Sequence, residues 1–282
     1  MGPIHGTITA AGMAAPRAGA HAPNARRDGK TMTRPDFLTT PQGRQIAYHR
    51  TEGAGPGVVF LGGFRSDMEG TKALHLQAWA RRTGHAFLRL DYSGHGQSSG
   101  RFEDGAIGDW AEDAVAAISE LTKGPQVLVG SSMGGWIALR VARAVPERVA
   151  GLVGVAAAPD FTEDGMWGQF TDAQRDTLMR EGKITLPSEY SDEPTIITRR
   201  LIEDGRAQLV LRAPLPLPFP VRLLQGTADA DVPVSVALRL MDHAEAEDLR
   251  LTLVKGADHR FSTPDCLQLI EDAVSEVLQR LD

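Results

Sequence analysis

The sequence predicts an α/β protein: a mostly parallel central sheet with helices on both faces and a helical cap inserted past the midpoint. Three observations carry this expectation. From Pro35 onward, short apolar runs alternate with segments whose apolar residues recur at helical spacing. One alternation is unusually abrupt: the run Val127-Leu128-Val129 meets Gly130-Ser131-Ser132-Met133-Gly134, and Trp136, Ile137, Leu139, Val141 and Ala142 follow at helical spacing. Between Pro159 and Pro220 the rhythm lapses into helix-like pieces without a clear strand. A structureless loop that long is improbable inside a compact domain, so a helical cap over about 159–220 is expected there.

Taken in order, Phe37–Thr39 and Gln45–His49 read as an opening hairpin, turned at Pro41-Gln42-Gly43. Val58–Leu61 is a short buried strand. The stretch from about Thr71 to Arg82 is helical through Ala73, Leu74, Leu76, Trp79 and Ala80, and Ala86–Leu90 is the next strand. Ile107, Trp110, Ala111, Ala114, Ile118 and Leu121 form one apolar stripe of a helix. Gln126–Val129 leads into the abrupt turn and its helix. Val149–Val155 is continuously apolar, as a strand buried on both faces must be. The run Pro214-Leu215-Pro216-Leu217-Pro218-Phe219-Pro220 is a stiff linker returning the cap to the next strand. Val221–Leu224 and Leu249–Val254 are two more strands, with a helix around Val234–His243 between them. Thr263-Pro264 opens a last helix as N-cap and first-turn proline, with the stripe Leu267, Ile270, Val274, Val277 and Leu281.

Composition bounds the partners. A chain of 282 residues, 42% of them hydrophobic, buries a full core and fits one large domain over about 36–282. A net charge of −6 argues against nucleic acid or an anionic membrane as main partner. No apolar stretch is long enough to span a bilayer. One cysteine, Cys266, excludes an internal disulfide framework and a multi-cysteine zinc site, and its place in a helical stripe points to packing. Residues 1–35 differ from the rest: they are rich in Ala, Gly and Pro, with Arg17, Arg26, Arg27, Lys30 and Arg34 against Asp28 alone. The favoured reading is a disordered extension, or a start assigned too early with Met32 as the true one, and a cytoplasmic protein. The alternative is a mitochondrial presequence, against which Gly and Pro spoil an amphipathic helix.

The abrupt turn carries chemistry. G-x-S-x-G between a strand and a helix lifts the serine oxygen above the end of a sheet, and the flanking glycines relieve a turn that crowds any side chain. A serine hydroxyl needs a base to take its proton, and that base needs an acid to orient it. In this architecture acid and base follow the serine, each after a later strand. Gly226-Thr227-Ala228-Asp229-Ala230-Asp231-Val232-Pro233 follows one, and Gly256-Ala257-Asp258-His259-Arg260-Phe261 the other. Both loops leave the carboxyl ends of strands, where open α/β sheets bind ligands.

His259 is the candidate base. His5 and His21 lie in the extension, His49, His75 and His85 in early elements, His243 ends a helix where capping a carbonyl is ordinary, and His95 precedes the serine. Asp229 at the tip of its turn is favoured as the acid over Asp231, which reads as the N-cap of the next helix. Asp258 is expected to order the histidine loop. Two backbone donors are expected to face the carbonyl oxygen: the N–H of Met133, directly after Ser132, and that of Phe64 in Gly62-Gly63-Phe64 after the Val58–Leu61 strand. Asp91-Tyr92-Ser93-Gly94-His95-Gly96-Gln97-Ser98 has the glycines of a phosphate loop but lacks its Lys-Ser/Thr, and reads as a structural turn beside the site. In the cap, Met166, Trp167 and Phe170 either line an acyl channel or pack the lid on the core. Nothing in the pattern calls for a metal or a cofactor.

These motifs together resemble the α/β-hydrolase superfamily over nearly everything after the extension. Gly70-Thr71-Lys72-Ala73, Asp91-Tyr92-Ser93-Gly94, Gly130–Trp136, Leu186-Pro187-Ser188 with Tyr190-Ser191, and Asp258-His259-Arg260 look like the "α/β-hydrolase domain-containing protein ten" family, whose animal members are mitochondrial acyl-protein thioesterases that also cleave acyl glucuronides. The resemblance implies an α/β-hydrolase fold, with Ser132 as nucleophile, Asp229 as acid and His259 as base, acting on an ester or thioester substrate. Lactone, C–C bond or peptide hydrolysis on the same three residues, and a non-catalytic binding scaffold, are the alternatives. Haloalkane dehalogenation is disfavoured, because it wants an aspartate at the turn.

Overall fold

The apolar runs pair into one eight-stranded sheet. The computed structural model describes residues 34–187 and 194–281. Residues 1–33 of the expected 1–35 extension, with the alternative start Met32 among them, and the motif residues Ser188, Tyr190 and Ser191 lie outside them. The elements run β1 (Asp36–Thr39), β2 (Gln45–Thr51), β3 (Ala54–Leu61), α1 (Thr71–Thr83), β4 (His85–Leu90), α2 (Ile107–Leu121), β5 (Gln126–Ser131), α3 (Met133–Ala144) and β6 (Val149–Val155). Then come α4 (Asp172–Glu181), β7 (Lys183–Leu186), β8 (Thr195–Thr198), α5 (Arg199–Ala207), β9 (Leu215–Pro216), β10 (Val221–Gly226), α6 (Val234–His243), β11 (Ala244–Glu245), β12 (Leu249–Val254) and α7 (Pro264–Gln279).

The main sheet has the order β1-β2-β4-β3-β5-β6-β10-β12. The pairs β1–β2 and β2–β4 are antiparallel, and every later pair is parallel. Alternate side chains go to opposite faces, as the two-residue strand period requires. On one face Val58, Phe60, Val127, Val129, Val153 and Val155 meet Leu76 and Trp79 of α1 and Ile270, Val274 and Val277 of α7. On the other face Val59, Leu61, Leu128 and Leu152 meet Trp110 and Ile118 of α2 and Trp136 and Ile137 of α3. Each such large side chain contributes about 1.5–3 kcal/mol when buried, so the sheet is a rigid floor.

The strand order places the site. From β3 the chain crosses through α1 to β4 on one side, then through α2 to β5 on the other, so the connections diverge between β3 and β5. In open α/β sheets such a switch point, at the carboxyl ends of the two strands, is where ligands bind. The turn after β3 and the G-x-S-x-G turn after β5 face each other there, with Leu61 in register with Gly130.

The segment between β6 and β10 is not wholly helical. It holds a π-helical turn over Thr162–Trp167, then α4 and α5, but also an antiparallel hairpin of β7 and β8. Lys183–Leu186 and Thr195–Thr198 are four residues each, too short for strand periodicity to stand out from helix spacing. In the proline run, Leu215, Leu217 and Phe219 turn inward while Pro214, Pro216 and Pro218 stay more exposed, and β9 pairs with β11. The Asp231 N-cap expectation is also corrected. Helix α6 starts at Val234 with Pro233 at its N-cap and no side-chain cap, because the backbone N–H groups of Asp231 and Val232 turn back onto Asp229. Thr263 does cap α7, accepting the N–H of Cys266 at 3.3 Å, and Cys266 is buried.

Candidate active site

Ser132 stands between β5 and α3 with φ 55° and ψ −120°, a conformation that costs about 1–3 kcal/mol for a side chain with a Cβ. Three hydrogen bonds hold it there. Its N–H donates to Val155 O at 2.9 Å, and its carbonyl accepts from Gly135 N at 2.9 Å and Ala158 N at 3.0 Å. Two glycines make the turn possible by close approach. A Cβ on Gly130 would sit 2.4 Å from Gly134 O, and one on Gly134 would sit 2.0 Å from Leu61 O.

The structure brings Ser132, Asp229 and His259 together from three loops. His259 Nε2 is 3.0 Å from Ser132 Oγ, and Nδ1 lies 2.9 Å and 3.1 Å from the two Asp229 oxygens. An ionised carboxylate only accepts, so Nδ1 carries the proton and Nε2 presents its lone pair to the serine hydroxyl. The Asp229 side chain is fully shielded, while His259 leaves 18% of its side chain exposed. Burial raises the Asp229 pKa, but hydrogen bonds from His259, the Val232 N–H and Gln225 outweigh it and hold the carboxyl below its ordinary value. Gln225 is a residue the sequence did not single out. Its amide donates to Asp229 at 3.0 Å and to Val232 O at 2.8 Å, fixing the acid from the end of β10.

The histidine loop is pinned from two sides. As expected, Asp258 orders it, accepting the Phe261 N–H at 3.2 Å through its side chain, with Phe261 itself fully buried. Lys72 of α1, also missed, donates to the carbonyl of Arg260. Burial pushes this ammonium down to about 8, against the pull of Asp258. Ligand atoms of Asp229, Asp231 and His259 lie within 4.8 Å of one another, but a cation there would displace the Nδ1 proton and break the Asp229–His259 bond.

On the facing wall, a Cβ on Gly63 would touch Ser132 Cβ at 3.4 Å, so the turn after β3 lies against the serine. Among the described residues, the N–H groups of Phe64 and Met133 have no hydrogen-bond acceptor. Met133 follows Ser132 in the chain and Phe64 follows Gly63, and two such donors can take the charge of a tetrahedral oxygen. The Phe64 ring packs edge-on against Phe102 at 4.9 Å, Phe161 at 5.6 Å and Trp110 at 6.0 Å. Phe161, unremarked in the sequence, continues this contact to Trp136 of α3 at 5.6 Å. Arg65 ties the same turn to the segment above: its guanidinium donates to Pro194 O at 3.1 Å and Thr195 Oγ1 at 3.0 Å.

Of the three residues expected in a cap, Trp167 carries the Arg206 guanidinium 4.5 Å and that of Arg175 5.5 Å from its ring centroid, and Phe170 is buried beside it. Met166 packs partly buried on the same core. His243 binds a carbonyl as expected, but that of Ala213 rather than of its own helix.

With this geometry in view, the comparisons are specific. The model of the alpha/beta hydrolase family matches residues 58–275. The chain is 36% identical over 264 residues to the Bos taurus protein named palmitoyl-protein thioesterase ABHD10, mitochondrial, covering 92% of this chain and 85% of that protein. The Homo sapiens protein of the same name is 35% identical over 246 residues, covering 87% and 80%. Among solved structures, a putative hydrolase from Agrobacterium vitis S4 superposes with TM-score 0.83 at 43% identity, covering 86% of this chain and 98% of that one. Alpha/beta hydrolase domain-containing protein 10 from mouse superposes with TM-score 0.82 at 33% identity, covering 89% and 100%. The curated relatives are named as mitochondrial, so they do not support the cytoplasmic expectation. Fold, family model and full-length relatives agree: the chain belongs to the alpha/beta hydrolase family and, within it, groups with the ABHD10 thioesterases.

Proposed function

We propose that this protein is a serine hydrolase of acyl thioesters and carboxylic esters, working through Ser132, His259 and Asp229. The observation that carries the reading is the unbroken hydrogen-bonded line from Ser132 Oγ through His259 to a shielded Asp229, rising from a strained turn. The thioesterase names of its relatives supply the substrate class.

In this mechanism Ser132 Oγ attacks the acyl carbonyl carbon as His259 Nε2 takes its proton, and Asp229 steadies the imidazolium. The carbonyl oxygen becomes an oxyanion held by the N–H groups of Phe64 and Met133. Collapse breaks the C–S or C–O bond; the leaving group departs with the proton from His259 as a thiol or alcohol, and Ser132 keeps the acyl group. A water that gives its proton to His259 then attacks the ester, releasing the acid and restoring the serine hydroxyl.

We read the segment over about 159–220 of the 36–282 domain as the cap that selects the acyl chain. Met166, partly buried against the core, stays the candidate of its trio for lining an acyl channel. Trp167, with two guanidinium groups against its ring, and Phe170, buried, fit the role of holding the cap together. The mitochondrial names of the relatives favour the presequence alternative over a cytoplasmic location.

A fluorophosphonate probe tests the reading. The native protein is expected to be labelled on Ser132 and the Ser132→Ala variant to be unlabelled; equal labelling of the two would remove the serine from the mechanism.

A further inference from the structure

We propose that His95 is a positioning residue of this hydrolase: its Nε2 lone pair holds the backbone N–H of Arg65 and thereby fixes the orientation of Phe64, the residue that lends its N–H to the oxyanion. The inference rests on Phe64 being such a donor.

His95 lies in the turn after β4, and the donor loop lies in the turn after β3; the two strands pair in parallel, so their ends meet. The imidazole is buried, 4% exposed, between the edges or faces of three rings: Trp110 at 5.0 Å, Phe102 at 5.1 Å and Tyr92 at 5.6 Å. Its Nδ1 lies 3.2 Å from the carbonyl of Ser93. A carbonyl can only accept, so Nδ1 carries the proton and Nε2 is left as an acceptor. Into that lone pair points the N–H of Arg65, at 3.3 Å. Burial keeps the imidazole neutral, pushing its pKa down to about 4.

Arg65 needs such a partner. Its φ is 57°, a conformation an arginine does not take without being held. Its neighbour Phe64 is gripped through its ring by Phe102 and Trp110, the rings that also enclose His95. One cluster therefore holds Phe64 by its side chain and by the peptide that follows it, leaving the preceding N–H one direction to face. The cluster is anchored in turn. Trp110 Nε1 donates to the same Ser93 carbonyl at 3.0 Å, and Ser93 is fixed through its N–H and hydroxyl to Asp113, which Arg44 holds at 2.6 Å. An extended line of fixed groups thus ends at the oxyanion donor.

The test compares His95→Met, which fills the space without an acceptor of comparable strength, with His95→Gln, whose Oε1 can replace Nε2. For His95→Met, kcat on a p-nitrophenyl ester should fall about 10- to 100-fold with KM nearly unchanged, less than the loss of a whole oxyanion donor. Affinity for an acyl trifluoromethyl ketone, which forms the tetrahedral adduct, should fall by a similar factor, and His95→Gln should recover most of both. A His95→Met enzyme with wild-type kcat and inhibitor affinity overturns the inference, as does a His95→Gln enzyme no better than His95→Met. Nitrogen-15 NMR of the native imidazole provides a check that needs no variant: a Nδ1–H tautomer at neutral pH is expected, and a proton on Nε2 refutes the role. The parent reading fails separately, by a Ser132→Ala enzyme that still turns over.

Discussion

Replacing Gly134 by alanine should damage catalysis more than its effect on folding alone accounts for. The added Cβ would lie 2.0 Å from Leu61 O and 2.6 Å from Gly62 O, both backbone atoms that no rotamer change can move aside. Since real Cβ contacts essentially never fall under 3.0 Å, the start of α3 and the end of β3 must part by about 1 Å. Overpacking of this kind costs about 1–3 kcal/mol of stability. The same displacement separates the two proposed oxyanion donors, because Met133 opens α3 and Phe64 follows β3. A misplacement of about 1 Å is worth about 10²-fold in rate, so kcat should drop by that order while the protein still folds. The assay is steady-state hydrolysis of a p-nitrophenyl ester beside a thermal melt. Gly182→Ala serves as control: its φ of 80° strains an alanine, but among the described residues no atom beyond its chain neighbours lies within 4 Å of the added Cβ, so stability should fall while kcat stays near that of the native enzyme. If Gly134→Ala loses stability yet keeps kcat within about twofold, the spacing of β3 and α3 does not set the oxyanion site.

Asp229→Asn should lower kcat by about 10³- to 10⁴-fold by presenting the wrong hydrogen to His259, with KM little changed in steady-state assays. The native Asp229 carboxyl lies below its ordinary pKa, so its stabilising contribution is present above about pH 4 and is lost as pH falls through the folded value; acid melts should show the native protein's advantage over Asp229→Ala shrinking there. Lys72 has the opposite sign. Its ammonium is pushed down to about 8 by burial, so between that pH and its unfolded value near 10.5 the unfolded chain binds the extra proton. Native stability relative to Lys72→Met should rise across that window by about 1–3 kcal/mol, the upper figure being reduced by the side chain's partial exposure; a flat difference by chemical denaturation would contradict this. Arg65→Ala removes the hydrogen bonds to Pro194 and Thr195, so KM for a palmitate ester should rise by more than KM for acetate; an equal change would separate the donor loop from the cap.

Much of this architecture was legible in the sequence because buried parallel strands are continuous apolar runs. Val149–Val155 is such a run and has the expected bounds, and the helix from Ile107 to Leu121 follows its stripe; Leu249–Val254 also has the expected bounds, but it is an edge strand that carries Arg250 and Thr252 and has no buried residue. The candidate residues Ser132, Asp229 and His259 were legible for a different reason: each follows a strand, and the order of strands restricts which loops can meet. What escaped depends on contacts across the sheet or on short local geometry. The β7–β8 hairpin consists of two four-residue strands whose pattern a helix could equally produce. Asp231 looked like an N-cap because the sequence does not reveal that Asp229 takes the N–H groups of Asp231 and Val232 and so extends its turn up to Pro233. The turn that holds His95 was read as lying beside the site, but its bond to the Arg65 N–H depends on the pairing of β3 with β4. Lys72 and Gln225 likewise act through loops distant in sequence or through a turn whose path their spacing does not disclose.

The proposed mechanism stands or falls on whether an acyl group passes through Ser132. Rapid mixing with a palmitoyl thioester, an acid quench and peptide mass analysis reads this directly. A transient acyl ester is expected on the peptide carrying Ser132, formed before steady turnover and absent from Ser132→Ala, with His259→Ala slowing both its formation and its loss. Undiminished turnover in Ser132→Ala, or an acyl group captured only on Cys266, would contradict it.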